Sequence, residues 1–291
     1  MSVSTPSNYL LKPLYHDMIA RLKGADIEMP DLDARFIIEE RTPYDWSDII
    51  ARPDSPITQI QHDKITSDIG QRIAGKPLSR IYGCREFWGL DFLISEDTLD
   101  PRPDSELIID LALKHFPDQD RPLEILDLGT GSGCILTSLL SEFKNARGWG
   151  IDLSVGAVKC AKENAQKNHV AARSHFLCGS WLNGINKKFD LIVSNPPYIS
   201  NQVIPTLSEE VRNHDPILAL DGGDDGLEPY KELFPQLKNF LNPDGIALFE
   251  IGYDQEKDVM RLAEKAGFVQ RTVHFDLAGN PRVVDISCGD K

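Results

Sequence analysis

The chain has 291 residues, of which 41% are hydrophobic and 26% charged, as in a soluble globular protein with room for a catalytic domain and a smaller second domain. Its formal net charge of −14 at pH 7 argues against nucleic acid as a direct partner, because phosphate contacts need a basic face. The five cysteines are scattered and no run has signal-peptide or membrane-spanning character, so we expect a cytoplasmic protein without disulfides, metal or membrane contact.

The first 75 residues have the periodicity of amphipathic helices. Apolar residues recur at helical spacing over 10–22, 32–37 and 65–73, and glycines or prolines end each run. Stripes of this kind predict core packing and not a cofactor site. Residues 1–75 are therefore expected to form a small helical domain.

Short strand-like segments replace this pattern after residue 76. Residues 81–84 and 87–94 predict two strands, so residues 76–100 are expected to form a β-hairpin linker. The next segment reads Pro-Arg-Pro-Asp-Ser-Glu from Pro101, and its prolines favour a stiff, extended chain. Either Asp104 or Ser105 is predicted to cap the helix that follows.

From residue 101 to 291, strands and helices alternate. The predicted strands are 123–128, 148–151, 175–177, 189–194 and 246–251, and the predicted helices are 134–143, 154–168, 230–241 and 255–266. Residues 268–276 and 282–287 then predict an antiparallel hairpin. This alternation predicts an α/β domain with a mostly parallel sheet, covered by helices on both faces.

A glycine-rich loop follows the first of these strands. Asp127 precedes it, and the loop contains Gly129, Thr130, Gly131, Ser132 and Gly133. Glycines allow the backbone to approach a ligand closely at this edge of the sheet. Asp152, at the end of the next strand, is placed to accept hydrogen bonds from a ribose diol. An acidic residue before the loop suits a ligand with an amino group and a sulfonium better than a pyrophosphate. The combination resembles the S-adenosylmethionine site of class I methyltransferases, and a nicotinamide enzyme is the alternative.

The fourth strand ends in the tetrapeptide Asn195-Pro196-Pro197-Tyr198. Two consecutive prolines neither continue a helix nor donate to a sheet, so the strand must stop in a stiff turn. The Asn195 carboxamide and the Pro196 carbonyl supply two hydrogen-bond acceptors, and Tyr198 supplies a ring. This set suits a planar NH₂ group held with its lone pair facing an electrophile. Right-handed crossovers place the turn at the same sheet edge as the glycine loop.

Most of residues 76–287 resemble the HemK/PrmC-type release factor glutamine N5-methyltransferases. The tetrapeptide at Asn195 is shared with adenine-N6 and guanine-N2 methyltransferases, whereas the segments 85–88 (Arg-Glu-Phe-Trp) and 101–106 point to this family. The resemblance implies a Rossmann-like class I methyltransferase domain after a helical domain that docks the substrate. It implies methylation of the glutamine in the Gly-Gly-Gln motif of peptide chain release factors. The donor would be S-adenosyl-L-methionine, the product S-adenosyl-L-homocysteine, and no metal would be needed.

The resemblance also implies which residues form the site. The donor would contact Asp127, Gly129, Thr130, Gly131, Ser132, Gly133, Asp152, Trp181 and Asn195. The glutamine would contact Asn195, Pro196, Pro197 and Tyr198, with Asn195, Pro196 and Tyr198 as the catalytic set. Two residues depart from the family pattern: Ser180 stands where Asp is usual, and Ser105 stands where Thr is usual, which keeps the hydroxyl.

Three other functions use overlapping features. An N6-adenine or N2-guanine nucleic-acid methyltransferase would use the same turn but would need a basic surface or a recognition domain. A small-molecule N-methyltransferase would not need the helical domain. A donor-binding module without activity is disfavoured by the intact turn at Asn195.

Overall fold

The computed structural model describes residues 9–287. The chain divides into two compact units between Tyr82 and Gly83. Within the described part of the chain, no helix has the length and apolar character needed to span a membrane.

The first unit is helical. It contains β1 (Tyr9–Leu10), α1 (Leu11–Lys23), α2 (Pro30–Arg41), α3 (Trp46–Ala51), β2 (Pro56–Ile57), α4 (Gln59–Ile73) and α5 (Leu78–Tyr82). Most of the predicted apolar stripes meet in one core, which includes Leu14, Met18 and Ile65, whereas Leu32, Phe36 and Ile73 are exposed. Helix α4 begins at a capping box in which the side chains of Thr58 and Gln61 bond to each other's backbone N–H.

Residues 78–82 form a helix, although the sequence predicts a strand from Ile81. The Asp68 carboxylate on α4 is 3% exposed and accepts hydrogen bonds from the Tyr82 hydroxyl at 2.7 Å and from Arg41 Nε at 2.6 Å. A buried carboxylate needs such donors, and Tyr82 supplies one from α5. Tertiary contact therefore overrides a local pattern that is only four residues long.

The second unit contains a seven-stranded sheet and a separate hairpin. Its elements are β3 (Cys84–Phe87), β4 (Leu90–Leu93), α6 (Glu106–His115), β5 (Glu124–Leu128), α7 (Cys134–Glu142), β6 (Arg147–Asp152), α8 (Val155–Lys167), β7 (Ser174–Cys178), β8 (Phe189–Ser194), α9 (Glu209–His214), α10 (Glu228–Leu237), β9 (Leu241–Glu250), α11 (Glu256–Lys265), β10 (Gln270–Phe275) and β11 (Pro281–Ser287).

The strand order of the large sheet is β10-β11-β9-β8-β5-β6-β7, and β3 and β4 pair with each other in a two-stranded sheet. Strands β5 to β9 pair in parallel, whereas β11 is antiparallel to both β9 and β10. The predicted α/β fold, with a mostly parallel sheet and an antiparallel C-terminal hairpin, is confirmed.

The sheet is buried on both faces. Ile125 belongs to the core on one side, packed with α6, α7 and α8, and Leu126 belongs to the core on the other side, packed with α10 and α11. Alternating side chains of one strand thus enter two different cores. This explains why β5 reads as a continuous apolar run.

The strand register places four residues in one row at the edge of the sheet where the strands lead into loops. Leu128, the last residue of β5, pairs with Ile151 on β6 and with Ser194 on β8, and Ser194 pairs in turn with Phe249 on β9. The residues that directly follow these partners are Gly129, Asp152, Asn195 and Glu250. The row lies at the C-terminal edge of the parallel strands, where open α/β sheets bind ligands.

We expect Gly150→Ala to destabilise the second unit. A Cβ at this position of β6 would lie 2.6 Å from Phe176 Cδ1 and 2.9 Å from Thr130 Oγ1, so neighbouring groups would have to shift. Overpacking of this kind costs about 1–3 kcal/mol. Urea unfolding followed by circular dichroism would measure the loss.

Gly179→Ala is the matched control, because a Cβ there would meet only Ile151 Cγ2, at an ordinary 3.9 Å. Its free energy of unfolding should stay within about 0.5 kcal/mol of the wild-type value. Equal stabilities of the two variants would show that the sheet accommodates a methyl group at Gly150.

Candidate active site

The row at the sheet edge borders a cavity of about 420 Å³. Eight of the predicted site residues line it: Gly129, Thr130, Gly131, Ser132, Asp152, Trp181, Asn195 and Pro197. The four other predicted residues, Asp127, Gly133, Pro196 and Tyr198, do not line it. The cavity thus joins the glycine loop, the acid after β6 and the turn after β8.

The glycine loop is bound to Asp152 through its backbone. Gly131 N donates to Asp152 Oδ2 at 2.8 Å, and Ser154 N donates to Oδ1 at 2.8 Å. Burial raises the pKa of Asp152. Gly129 has a left-handed φ of +71°, and a Cβ on it would lie 3.6 Å from the Trp181 ring. The backbone of the loop therefore runs close to this ring.

Asp127 lies beneath the loop and is 1% exposed. Its Oδ2 accepts a hydrogen bond from Thr130 Oγ1 at 2.6 Å, the backbone N–H of Leu136 lies near the carboxylate, and Oδ1 makes no hydrogen bond of standard geometry among residues 9–287. Burial raises the pKa of Asp127 to about 7. A buried carboxylate oxygen without a donor fits a ligand that carries an N–H or O–H group.

Gly133 has a packing reason to be glycine. It precedes α7, and a Cβ on it would lie 3.0 Å from Ala161 Cβ and 3.5 Å from Phe176 Cε1. A side chain here would push α7 away from α8. The site contact predicted for Gly133 stays a prediction.

The turn after β8 is held by hydrogen bonds to a buried carboxylate. Asn195 Nδ2 donates to Ser105 Oγ at 3.0 Å, and Ser105 Oγ donates to Glu250 Oε2 at 2.5 Å. The Tyr198 hydroxyl donates to Glu250 Oε1 at 3.3 Å. Ser105 does occupy the N-cap position of α6, but its hydroxyl serves this chain and not the helix backbone.

The segment that follows the turn is anchored at two points. The Tyr198 carbonyl accepts a hydrogen bond from Gln255 Nε2 at 2.9 Å. Farther along, Arg102 Nη2 donates to Asp215 Oδ2 at 2.6 Å. Arg102 also lines the cavity, so this arginine of the stiff segment before α6 is not a free linker residue.

Glu250, which lies beside the cavity and binds the turn, is not predicted from the sequence. It is 1% exposed, and burial raises its pKa to about 7. The available signal is a carboxylate within the apolar run of β9, between Phe249 and Ile251. A charged residue in such a run requires hydrogen-bond partners in the fold, which only the tertiary structure identifies.

Comparison with known proteins identifies both parts of the chain. Residues 14–83 match the PrmC N-terminal domain, and residues 95–214 match the Methyltransferase small domain. The chain is 42% identical to a release factor glutamine methyltransferase of Agrobacterium fabrum, over 91% of this chain and 92% of that protein. It is 44% identical to one of Bradyrhizobium diazoefficiens, over 92% of this chain and 91% of that protein.

The chain belongs to the release factor glutamine methyltransferase family. This confirms the family resemblance drawn from the sequence and makes the protein a methyltransferase. The solved structure of a methyltransferase from Pyrococcus furiosus superimposes with a TM-score of 0.53 at 20% identity, over 77% of this chain and 100% of that chain. At that identity the likeness supports the fold alone.

We expect Asp127→Asn to weaken the pH dependence of stability. The folded-state pKa of about 7 lies above the ordinary 3.8, so the folded protein binds a proton that the unfolded chain has released. Stability from this proton is present at low pH and is lost as pH rises through about 7. Urea unfolding of the wild type between pH 5 and 8 should therefore show a decline on the order of a few kcal/mol, and a smaller one in the variant.

The exposed Asp120 provides a control, since Asp120→Asn should decline like the wild type. Part of the decline should persist in Asp127→Asn, because the pKa of Glu250 is raised in the same direction. An Asp127→Asn slope equal to that of the wild type would mean that Asp127 is already ionised at pH 5 in the folded protein.

Proposed function

We propose that this protein methylates the side-chain amide nitrogen (N5) of the glutamine in the Gly-Gly-Gln motif of peptide chain release factors, in the cytoplasm. One observation carries the proposal beyond family membership. Asn195 lies in the same cavity as the glycine loop, and its Nδ2 is bound to Ser105, which leaves Oδ1 available. An acceptor oxygen beside a nucleotide-type pocket is what an amide substrate requires.

The donor would be S-adenosyl-L-methionine, leaving as S-adenosyl-L-homocysteine. Asp152 would bind the ribose, the Gly129–Gly133 backbone and Trp181 would lie along the nucleoside, and Asp127 Oδ1 would accept from the donor's amino group. When bound, the donor supplies an electrophilic methyl group on a positively charged sulfur. The acidic Asp152, which lines the cavity, fits a cationic molecule with hydroxyl groups, and Asp127 lies directly behind the loop through its bond to Thr130.

The acceptor amide needs orientation more than deprotonation. Its nitrogen is a poor nucleophile because the lone pair is delocalised into the carbonyl. Asn195 Oδ1 and the Pro196 carbonyl would each accept one N–H, which holds the amide plane and makes the nitrogen more electron-rich. The Tyr198 ring would lie against that plane and stabilise positive charge as it develops.

The helical unit would dock the release factor, with residues 76–100 as the linker and residues 101–291 as the methyltransferase domain. Its match to the PrmC N-terminal domain supports this assignment. The exposed apolar side chains of Met29 and Leu32 on and before α2 provide a surface to which a protein substrate could bind.

Asn195→Ala should abolish methyl transfer while leaving most of the donor affinity. Removing one of two acceptors from the amide leaves it poorly held, and loss of a single preorganised polar contact costs about 100-fold or more in kcat. Radiolabelled methyl transfer would measure the rate, and calorimetry the donor Kd.

Asn201→Ala is the matched control, because this asparagine is exposed and its side chain donates to the Asp224 carboxylate, away from the turn at Asn195. It should retain wild-type kcat. Near wild-type transfer by Asn195→Ala would rule out an acceptor role for this carboxamide.

Removal of residues 1–82 should raise the KM for the release factor and leave the donor Kd unchanged, because the cavity belongs to the second unit. Steady-state kinetics with purified release factor, beside calorimetry with the donor alone, would separate the two effects. An unchanged KM would contradict the docking role.

The function itself is tested by mass spectrometry of a purified release factor incubated with the protein and the donor. One added methyl group on the Gly-Gly-Gln glutamine is the expected product. Methylated RNA or DNA with an unmodified release factor would instead support a nucleic-acid methyltransferase.

A further inference from the structure

We infer that Ser105 and Glu250 are positioning residues that set which way the Asn195 carboxamide faces. The inference rests on the proposed function, in which Asn195 Oδ1 is the acceptor for the substrate amide. The three side chains form a chain of two hydrogen bonds, from Asn195 Nδ2 to Ser105 Oγ and from Ser105 Oγ to Glu250 Oε2. We call this chain the carboxylate relay.

The direction of the relay follows from how many protons each group has. An ionised carboxylate only accepts, so Ser105 must give its single hydroxyl proton to Glu250. The Ser105 oxygen can then act towards Asn195 only as a hydrogen-bond acceptor, so Asn195 must turn its NH₂ group towards Ser105. The carboxamide oxygen is left for the substrate.

The opposite orientation of Asn195 would cost a hydrogen bond. With Oδ1 turned towards Ser105, two oxygens without a shared proton would face each other at 3.0 Å. Ser105 is 2% exposed, so water cannot readily separate them. An unmade hydrogen bond at such a buried site costs about 1–3 kcal/mol, which strongly favours one amide orientation over the other.

Glu250 also holds the other side chain of the turn. Its second oxygen, Oε1, accepts from the Tyr198 hydroxyl at 3.3 Å. One carboxylate thus orients both the proposed acceptor amide and the ring proposed to stack on the substrate. The segment of chain between Asn195 and Tyr198 is Pro-Pro, so fixing its two ends fixes the turn as a whole.

The charge of Glu250 is set by burial and by a few neighbours. Desolvation raises its pKa to about 7, and Arg282 on β11 opposes that rise, whereas Asp104 adds to it. The Tyr198 hydroxyl faces one carboxylate oxygen, and the Tyr230 hydroxyl donates to the Glu250 backbone carbonyl. The rise in the pKa of Glu250 caused by burial is therefore opposed first by the Ser105 hydrogen bond and then by the Arg282 guanidinium.

Protonation of Glu250 removes the constraint on the relay. A protonated carboxyl can donate to Ser105 Oγ, which frees the Ser105 proton to bond with Asn195 Oδ1. Both orientations of the carboxamide then become acceptable. We therefore expect kcat to fall as pH drops below about 7, with the ionised form being the more active one.

The first experiment compares Ser105→Ala, Ser105→Thr and wild type in methyl transfer to a purified release factor. Ser105→Ala should lower kcat about 10-fold or more, as expected for lost orientation, with little change in the KM or in the donor Kd. Ser105→Thr keeps the hydroxyl and should restore most of kcat. Ser138→Ala is the control, because Ser138 is equally buried in the same unit and its Oγ has no partner in the described chain.

The second experiment measures the pH profile of Glu250→Gln. A glutamine does not titrate, and its amide can either accept from Ser105 or donate to it, as the protonated carboxyl can. Activity should therefore persist near the low-pH level of the wild type, without a further fall at acidic pH. Between pH 8 and pH 6 the wild-type kcat should fall about twofold, because both carboxamide orientations become acceptable in the protonated form, and that of the variant should stay nearly constant. If Glu250 contributed only to folding, Glu250→Gln would not abolish the fall of kcat at acidic pH.

The third measurement does not depend on the identity of the substrate. NMR of ¹⁵N-labelled protein would follow the side-chain NH₂ signals of Asn195, which the Asn195→Asp variant assigns. These hydrogens should exchange slowly with solvent in the wild type and rapidly in Ser105→Ala. If the release factor is not methylated but this protection is found and lost as stated, the proposed function fails and the relay stands.

Two results would overturn the relay. One is wild-type kcat and unchanged Asn195 protection in a folded Ser105→Ala variant. The other is an acidic limb in Glu250→Gln identical to that of the wild type, since some other group would then be titrating.

Discussion

A carboxylate buried in a protein interior needs hydrogen-bond donors, and the way Glu250 obtains them organises this site. The residue ends β9 and is 1% exposed, with Ser105 on one of its oxygens and Tyr198 on the other. Ser105 comes from the stiff segment before α6, and Tyr198 from the turn after β8. Both elements are therefore tied to the same strand end, and the Asn195 carboxamide is oriented through Ser105. A hydrophobic residue at position 250 would pack as well but would leave these groups without a common acceptor.

The sheet makes this arrangement possible through its register. Gly129, Asp152, Asn195 and Glu250 each directly follow one residue of a row that is paired from strand to strand across β6, β5, β8 and β9. A shift of one residue in any of these pairs would exchange a loop-facing side chain for one that enters the core. Close packing beneath the row, where Gly150 lies against Phe176 and Thr130, holds the glycine loop at the same level. Donor-side and acceptor-side residues of the proposed reaction therefore belong to one rigid edge.

The two buried carboxylates at this edge have different partners and suit different tasks. Asp127 has one oxygen bound to Thr130 and one without a partner among the described residues, which suits a ligand donor. Glu250 has both oxygens engaged by side chains of the protein, which suits a positioning group. Burial raises the pKa of both to about 7. Burial therefore raises the two pKa values alike, whereas the hydrogen-bond partners of the two carboxylates differ. The partners, and not the pKa, indicate which role each carboxylate has.

The sequence alone determined the parts of this protein that depend on local pattern. Hydrophobic periodicity predicted the helical first unit and the alternating second unit, and the residues at 85–88, 101–106 and 195–198 identified the family. Tertiary structure decided what depends on which distant groups meet. Residues 78–82 form a helix from which Tyr82 donates to Asp68, and Ser105, predicted as a possible cap of α6, donates its hydroxyl hydrogen bond to Glu250, 145 residues away in sequence. A side-chain hydrogen bond is a short-range contact between groups that local sequence cannot pair, so the relay that orients Asn195 could be identified only in the folded chain.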